Sequence, residues 1–475
     1  MDHELLTDEM VTELRAEIKA VAEASERRSS GKERLDLWEQ GARVVLNRLG
    51  AKLTERELEA LGREQERGPR ACEQCSGKMR NVSRQAVTIQ SIFGALLVKR
   101  RRFTCVQCAR TDYPLDRYYG WEQHRFTSTA KEWVCLLAQG DCYQHAANVL
   151  RRVSGIAGTV ESFREVVQEC GGQLQAQQEE VVRLVNESAQ PFPAVNPPSS
   201  WMLVGADGCQ VLKSGAQVGR PKKGEKRARK RPARHQSGSK QKTRDRGMEI
   251  KVGLVGALVR KPGEREYQVE QKSYLATFAE AETFSDLLFA EGLSRGLHRA
   301  ERVIVVGDGA SWIWKRVAPL FPQREEIVDW YHLTEKVWET GEALYGSREH
   351  WVTRNWVEQQ LDKLWEGKLN GVHRALHAQR LKWEPRAHNE SALEAIHTLE
   401  HYLTEHAARM DYPRYRKLGL PIGSSEVESA CKQVVAARMK CSGMQWRDHS
   451  AAALLPLRAE FLSGRWDQKW QRLRA

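Results

Sequence analysis

Apolar residues recur along this chain with two different periods, and each change of period marks a new part. Val11, Leu14, Ile18 and Val21 fall three to four residues apart, the spacing of one helix face. Leu35, Trp38, Ala42, Val45 and Leu49 repeat that spacing and predict a second helix ending near Gly50. The stretch AVTIQSIFGALLVKRRRF, residues 86–103, reads instead as a β-hairpin with Gly94 at its turn. Helical spacing then returns. Thr129 and Glu132 predict a capping box ahead of Trp133, Leu136 and Leu137. Gly140 and Asp141 interrupt the pattern, and a second helix runs from about Tyr143 through Ala147 and Leu150. After Gly155 and Gly158, Thr159 is placed to cap a third. Residues 188–200, with four prolines, predict a linker.

From Trp201 the pattern is that of an α/β domain. MLVGADGCQV, MEIKVGLVGAL and EYQVEQKSYL predict three strands, followed by a helix over about 278–297. RVIVVGDG is near-continuously apolar and predicts a central strand. A short helix and a last strand, EEIVDWYH, follow. This order is that of an RNase H-like fold, in which the first and fourth strands lie side by side. Asp207 and Asp308 then meet across neighbouring strand ends, where Gly208, Gly307 and Gly309 let ligands approach the backbone closely. Residues 333–415 are helical in pattern and rich in Trp, His and Arg, with Trp312 before them read as core. Beyond them, GSSEVESACK places Ser424 or Ser425 as an N-cap. Glu426 and Glu428 are two residues apart and point to nearly opposite helix faces. Glu426 is favoured in a first turn by the helix dipole alone, so local rules leave open which of the two is functional.

Composition narrows the classes. A chain of 475 residues with 41% apolar residues is long enough for about three domains with substantial cores. No run of about 18 apolar residues predicts a membrane span. The acidic start, MDHELLTDEM, argues against a signal peptide, so a cytoplasmic location with ten reduced cysteines is expected. The formal charge is +13, but residues 219–246 hold thirteen Lys/Arg and two acids, a net +11. That segment has almost no apolar residues and is expected to be a mobile loop. A solvated linker fits this composition. So does an arm that grips phosphates without reading sequence, with Arg220, Lys222, Lys223, Lys226, Arg227, Arg229, Lys230, Arg231 and Arg234 as contacts.

Two constellations carry chemistry. Cys72 and Cys75, with Cys105 and Cys108, form two CxxC pairs separated by 29 residues. Four thiolates hold one Zn²⁺ tetrahedrally, and a zinc ribbon fits the hairpin between them. The Lys99–Arg102 run gives that ribbon a basic edge. The three helices that follow fit a helix-turn-helix arrangement with Arg164 as a DNA contact, and a plain three-helix bundle fits them as well. The second constellation is Asp207, Asp308 and one glutamate. Hard divalent cations prefer carboxylate oxygens, and two such ions can clamp the attacking and leaving oxygens of a phosphodiester.

Asp308-Gly-Ala-Ser-Trp312-Ile, Asp329-Trp-Tyr-His332-Leu and GSSEVESACKQVVAARMKCSGMQW resemble bacterial insertion-sequence transposases of the DDE type. The resemblance is to the Kra-type group, related to Mutator-like transposases. It extends from about Asp207 to Trp470, and the ribbon and following helices look like that group's N-terminal half. Ser425 stands where the family usually has Gly. The resemblance implies that Asp207, Asp308 and Glu428 hold two Mg²⁺ (or Mn²⁺). It also implies that His332 positions a phosphate or donates to a leaving group, although a structural His bonding to the sheet fits equally. Arg438 and Lys440 either meet DNA or form a solvated helix face.

The implied layout is a helical region (1–66), a zinc ribbon (67–120), a helix-turn-helix-like DNA-binding region (121–187) and the linker (188–200). An RNase H-like core (201–332) follows, then an all-helical insertion (333–416) and C-terminal core helices (417–475). The implied partners are double-stranded DNA, as transposon ends and target, and a second copy of the chain, in a bacterial, nucleoid-associated setting. A DNA nuclease without strand transfer, and a domesticated DNA-binding protein with a retained catalytic fold, are the competing readings.

Overall fold

The computed structural model describes residues 7–27, 31–187, 200–214, 247–386 and 388–474. The Pro-rich segment and the basic segment therefore lie almost wholly outside the described residues, the latter with all nine of its candidate phosphate contacts. The chain divides into two compact units, Met1–Cys170 with Arg474–Ala475, and Gly171–Leu473. No described helix is long and apolar enough to cross a membrane.

The first unit opens with helices Asp8–Glu26 and Gly31–Gln65. The second helix does not stop at Gly50, as its pattern predicts. A Cβ on Gly50 would come within 2.6 Å of the Phe93 ring, so this glycine admits a neighbour and does not end the helix. The hairpin forms as β1 (Met79–Ser91) and β2 (Gly94–Cys105), antiparallel, with Gly94 at φ +97°. A short third strand, β3 (Thr111–Asp112), pairs with β2. Val87, Ile89, Leu96 and Val98 bury one face of this sheet with Leu58, Leu115 and Trp121. The two-residue period of a strand also divides the basic run. Arg100 is buried, paired with Asp116 and stacked on Tyr113, while Arg101 pairs with Glu66. Two cations expected on an open edge are thus paired within the unit, Arg100 buried and Arg101 partly exposed.

Helices Ser128–Ala138, Tyr143–Val153 and Val160–Glu187 follow. Thr127, not Thr129, caps the first, accepting from the Ala130 N–H at 3.3 Å. Thr159 Oγ1 accepts from the Ser162 N–H at 3.0 Å, as expected of a cap.

The second unit is a mixed α/β body around one five-stranded sheet. Its strands are β4 (Trp201–Leu212), β5 (Gly247–Val259), β6 (Gln268–Thr277), β7 (Arg302–Gly307) and β8 (Arg324–Val328). Their order across the sheet is β6-β5-β4-β7-β8. β4, β5 and β6 pair antiparallel, whereas β4–β7 and β7–β8 pair parallel. β5 and β7 are almost continuously buried, as strands covered on both faces must be. Helix Ala281–Ser294 covers one face, with Leu288 and Phe284 against Gly253. The other face receives Val427, which packs on Gly205. Gly205 pairs with Leu254, one register step from the Ala206–Gly253 pair, so the two glycines point to opposite sides of the sheet.

The helical block after β8 comprises Trp330–Tyr345, Trp351–Trp365, Leu369–Trp383, Glu390–His406 and Tyr412–Leu418. The last helix closes the β8 edge. Tyr412 donates to the Val328 carbonyl at 3.1 Å and Tyr415 to the Glu326 carbonyl at 3.2 Å, occupying acceptors that an open edge leaves bare. Ser425–Ala430 then runs through a π-helical segment, Cys431–Ala436, into Ala437–Met439.

Candidate active site

The parallel pairing of β4 with β7 ends at Ala206–Gly307. The next residue on each strand is an aspartate, Asp207 and Asp308, so the sheet brings two carboxylates to one end of adjacent strands. Asp308 Oδ1 accepts from the Ala310 N–H at 2.9 Å. Asp207 Oδ1 accepts from the Gly208 N–H at 2.6 Å, and its Oδ2 from the Cys431 thiol at 3.4 Å. Burial pushes the Asp207 carboxyl up from its ordinary value and the Asp308 charge adds to it, with the Gly208 N–H, Cys431 and His332 pulling the other way.

Cys431 also locates Glu428. The two residues are three apart on one helix and therefore share a face. Since Cys431 touches Asp207, the Glu428 face is the one turned to the strand ends. Glu426, on the other side, is engaged by Lys272 of β6 at 2.5 Å. Glu428 Oε1 lies 3.2 Å from the Ser424 hydroxyl, and Lys432 approaches its other oxygen at 3.9 Å.

Asp329, the residue after β8, ties the arrangement together. It is fully buried and caps helix Trp330–Tyr345. Its Oδ1 accepts from the Tyr331 and His332 N–H groups, and its Oδ2 from both the N–H, at 2.7 Å, and the hydroxyl of Ser424. His332 Nδ1 stands 3.6 Å from Oδ2. Burial opposes ionisation of Asp329, but the bonds from His332 and Ser424 outweigh it and hold the carboxyl below its ordinary value. The Asp329 carboxylate beside the ring in turn raises the His332 imidazole to about 9, burial opposing, with the charges of Asp308 and Glu335 adding.

Ligand atoms of Asp329, His332 and Glu428 lie within 4.8 Å of one another, close enough to share one cation. Asp329 nevertheless fits that role poorly. A carboxylate offers about four lone-pair directions, and Asp329 already accepts four hydrogen bonds. Its chemistry is that of an anchor that orients His332 and Ser424, and through Ser424 the start of the Glu428 helix. Asp207, Asp308 and Glu428 are each partly exposed and keep oxygens that no backbone donor fills. An acidic set of this kind suits a hard divalent cation. The sequence pattern singled out Asp207 and Asp308 and left Glu426 and Glu428 open; the anchor was not legible, because Ser424 lies 95 residues from Asp329.

Two π-helical segments among the described residues of the second unit each follow an acid of this site. Ile313–Val317 comes after Asp308 and Cys431–Ala436 after Glu428. Such wide turns are frequent at functional sites. Trp312 packs edge-on against Phe284.

The other expected contacts are dispersed. Arg164 is half-buried and bonded to Glu161 on its own helix. Arg438 corrects its expected place on an open face: it is 2% exposed and stacks on Trp446 at 5.1 Å, because the chain after Met439 folds back over it. Lys440 is exposed.

In the first unit the four cysteine sulfurs converge. Cys72 Sγ is 3.6 Å from Cys108 Sγ, and Cys75 Sγ is 3.4 Å from Cys105 Sγ. The two knuckles share one geometry, since Ser76 and Ala109, each just after the second Cys of its pair, both have φ +58°. The Cys108 and Gln107 N–H groups lower the Cys105 thiol to about 6, burial opposing. Against the Gly77 N–H, the sulfurs of Cys105 and Cys108 push Cys75 up to about 12. The cluster could hold zinc.

No protein-family model matches this chain, and no curated protein matches it by sequence. Among solved structures it is similar to the Drosophila P element transposase strand transfer complex at 9% identity, over 76% of this chain and 84% of that chain, with a TM-score of 0.23. At that TM-score the likeness carries no argument for a shared fold.

Proposed function

We propose that the chain is a DNA transposase of the DDE type, with an RNase H-like core in which Asp207, Asp308 and Glu428 hold two Mg²⁺ or Mn²⁺ ions. The observation that supports this reading is the meeting of two strand ends, one of which the helix carrying Glu428 touches through Cys431. β4 and β7 end side by side at Asp207 and Asp308, and the thiol of Cys431, one turn beyond Glu428, contacts Asp207. Bound there, the ions supply an activated water and charge compensation for the leaving oxygen.

The chain's own residues have separate tasks. Asp329 holds His332 and Ser424 in place. His332, kept as imidazolium up to about pH 9 by Asp329, is a cationic donor suited to a phosphate oxygen beside the carboxylates. The helical block 333–416 is the insertion between Asp308 and Glu428. The ribbon at 67–120, with one structural Zn²⁺, and the helices of 121–187 supply recognition of the element's terminal repeats. Residues 219–246 and Lys440 supply salt-sensitive grip. Two DNA ends call for at least two copies of the chain.

The test is strand transfer by the purified protein with Mg²⁺, a duplex carrying a candidate terminal repeat and a target plasmid. Joined product is the expected result. Cleavage without joining would make the chain a nuclease, and binding without cleavage would make it a DNA-binding protein with a retained fold.

A further inference from the structure

The wall beside Asp308 contains two buried polar atoms without partners, Trp314 Nε1 and Tyr402 Oη, with the His406 ring between them. Such atoms are uncommon in folded proteins, and each calls for an explanation. They form one group. The Tyr402 and His406 rings are 4.6 Å apart, and His406 is 6.1 Å from Trp314.

Tyr402 meets the backbone beside Asp308. It projects from helix Glu390–His406 onto the backbone just after Asp308. A Cβ on Gly309 would fall 2.1 Å from its ring and 3.0 Å from its hydroxyl, so the residue beside Asp308 must lack a side chain for the phenol to be there. Tyr402 is 8% exposed, and the Lys336 ammonium lies 4.9 Å from the centre of its ring. Burial and the charges of Asp308 and Asp329 raise its hydroxyl above the ordinary phenol value, so it remains a proton donor across the working pH range. Leaving this buried donor unpaired costs free energy. Asp329 has no lone pair left for it, whereas Asp308 has one oxygen outside its bond to Ala310.

We propose that Tyr402 is a positioning residue for the metal site: its hydroxyl donates to the Asp308 carboxylate once a divalent cation is bound and fixes that carboxylate on the ion. The inference rests on the reading of Asp308 as a metal ligand. Outer hydrogen bonds of this kind orient ligands and tune affinity.

Tyr402→Phe separates this role from a structural one, because it keeps the ring and deletes only the hydroxyl. The metal-free variant should be as stable as wild type or slightly more so, since an unpaired buried hydroxyl is removed. Its Mn²⁺ affinity, measured by calorimetry on the full chain, should nevertheless fall by about 10-fold or more, and the Mg²⁺ concentration needed for half-maximal cleavage should rise in parallel. Asp308→Asn provides the reference. If wild type binds Mn²⁺ in an Asp308-dependent way and Tyr402→Phe binds it equally well, the inference fails alone. If Tyr402→Phe is markedly destabilised without metal, the hydroxyl is structural and the inference fails. If wild type binds no Mn²⁺, the metal reading fails and takes the inference with it.

Discussion

The Cys431 thiol lies 3.4 Å from Asp207 Oδ2 and one helical turn beyond Glu428. This contact joins the strand that carries the first acid to the helix that carries the last, across 224 residues of chain. Cys431→Ser keeps a donor at that place and should retain most activity. Cys431→Leu replaces the donor with an apolar group, and should lower single-turnover cleavage about 10-fold or more through misplacement of Glu428. Equal rates for the two variants would show that the contact does not set the geometry.

Asp308→Asn and Asp329→Asn should separate function from stability. Asp308 contributes its charge to the upward push on Asp207. Removing that charge should abolish cleavage, leave DNA binding largely intact and leave the metal-free fold at least as stable. Asp329 accepts four hydrogen bonds in a fully buried place. Its replacement should destabilise the protein by about 3 kcal/mol, measurable by denaturant unfolding. Retained cleavage in Asp308→Asn would remove it from the metal site.

The His332 imidazole should titrate near 9 in the metal-free protein when followed by NMR. The sign follows from the Asp329 carboxylate beside the ring. A folded value above the unfolded one means stabilisation that is complete below about 6.5 and is lost as pH rises through about 9. Asp329→Asn should bring the value down toward 6.5. A wild-type value already there would deny the pairing.

Much of this arrangement was legible from periodicity and order. The apolar runs placed β4, β5, β6 and β7, and their succession put Asp207 beside Asp308, because parallel neighbours bring their ends together. Contacts distant in sequence were not legible. Lys272 engages Glu426 from β6, which local rules at residues 424–430 do not contain. Gly50 reads as a helix stop until Phe93 is seen against it. Arg438 reads as a surface cation until Trp446 returns over it. Asp329 was visible as part of an Asp-x-x-His pattern, but its role depends on Ser424.

Glu426→Gln and Glu428→Gln should differ sharply. The first loses a partly exposed ion pair with Lys272, worth about 1 kcal/mol or less, and should cleave nearly as well as wild type. The second should lose cleavage by orders of magnitude with little change in stability. Equal losses would leave neither glutamate assigned.

The purified protein should contain one zinc per chain. Cys105→Ser should lose it and unfold the hairpin of β1 and β2, as should prolonged chelation. A zinc-free protein with an intact hairpin would contradict the ribbon.

The central claim is that Asp207, Asp308 and Glu428 surround divalent metal ions. Fe²⁺ can replace Mg²⁺ at such a site, and with ascorbate and peroxide it cuts the backbone nearest to itself. Cuts mapped by mass spectrometry should cluster around residues 207, 308 and 428, fade as Mg²⁺ is added, and vanish in Asp308→Asn. Cuts confined to other segments, or unaffected by Mg²⁺ and by Asp308→Asn, would contradict the account.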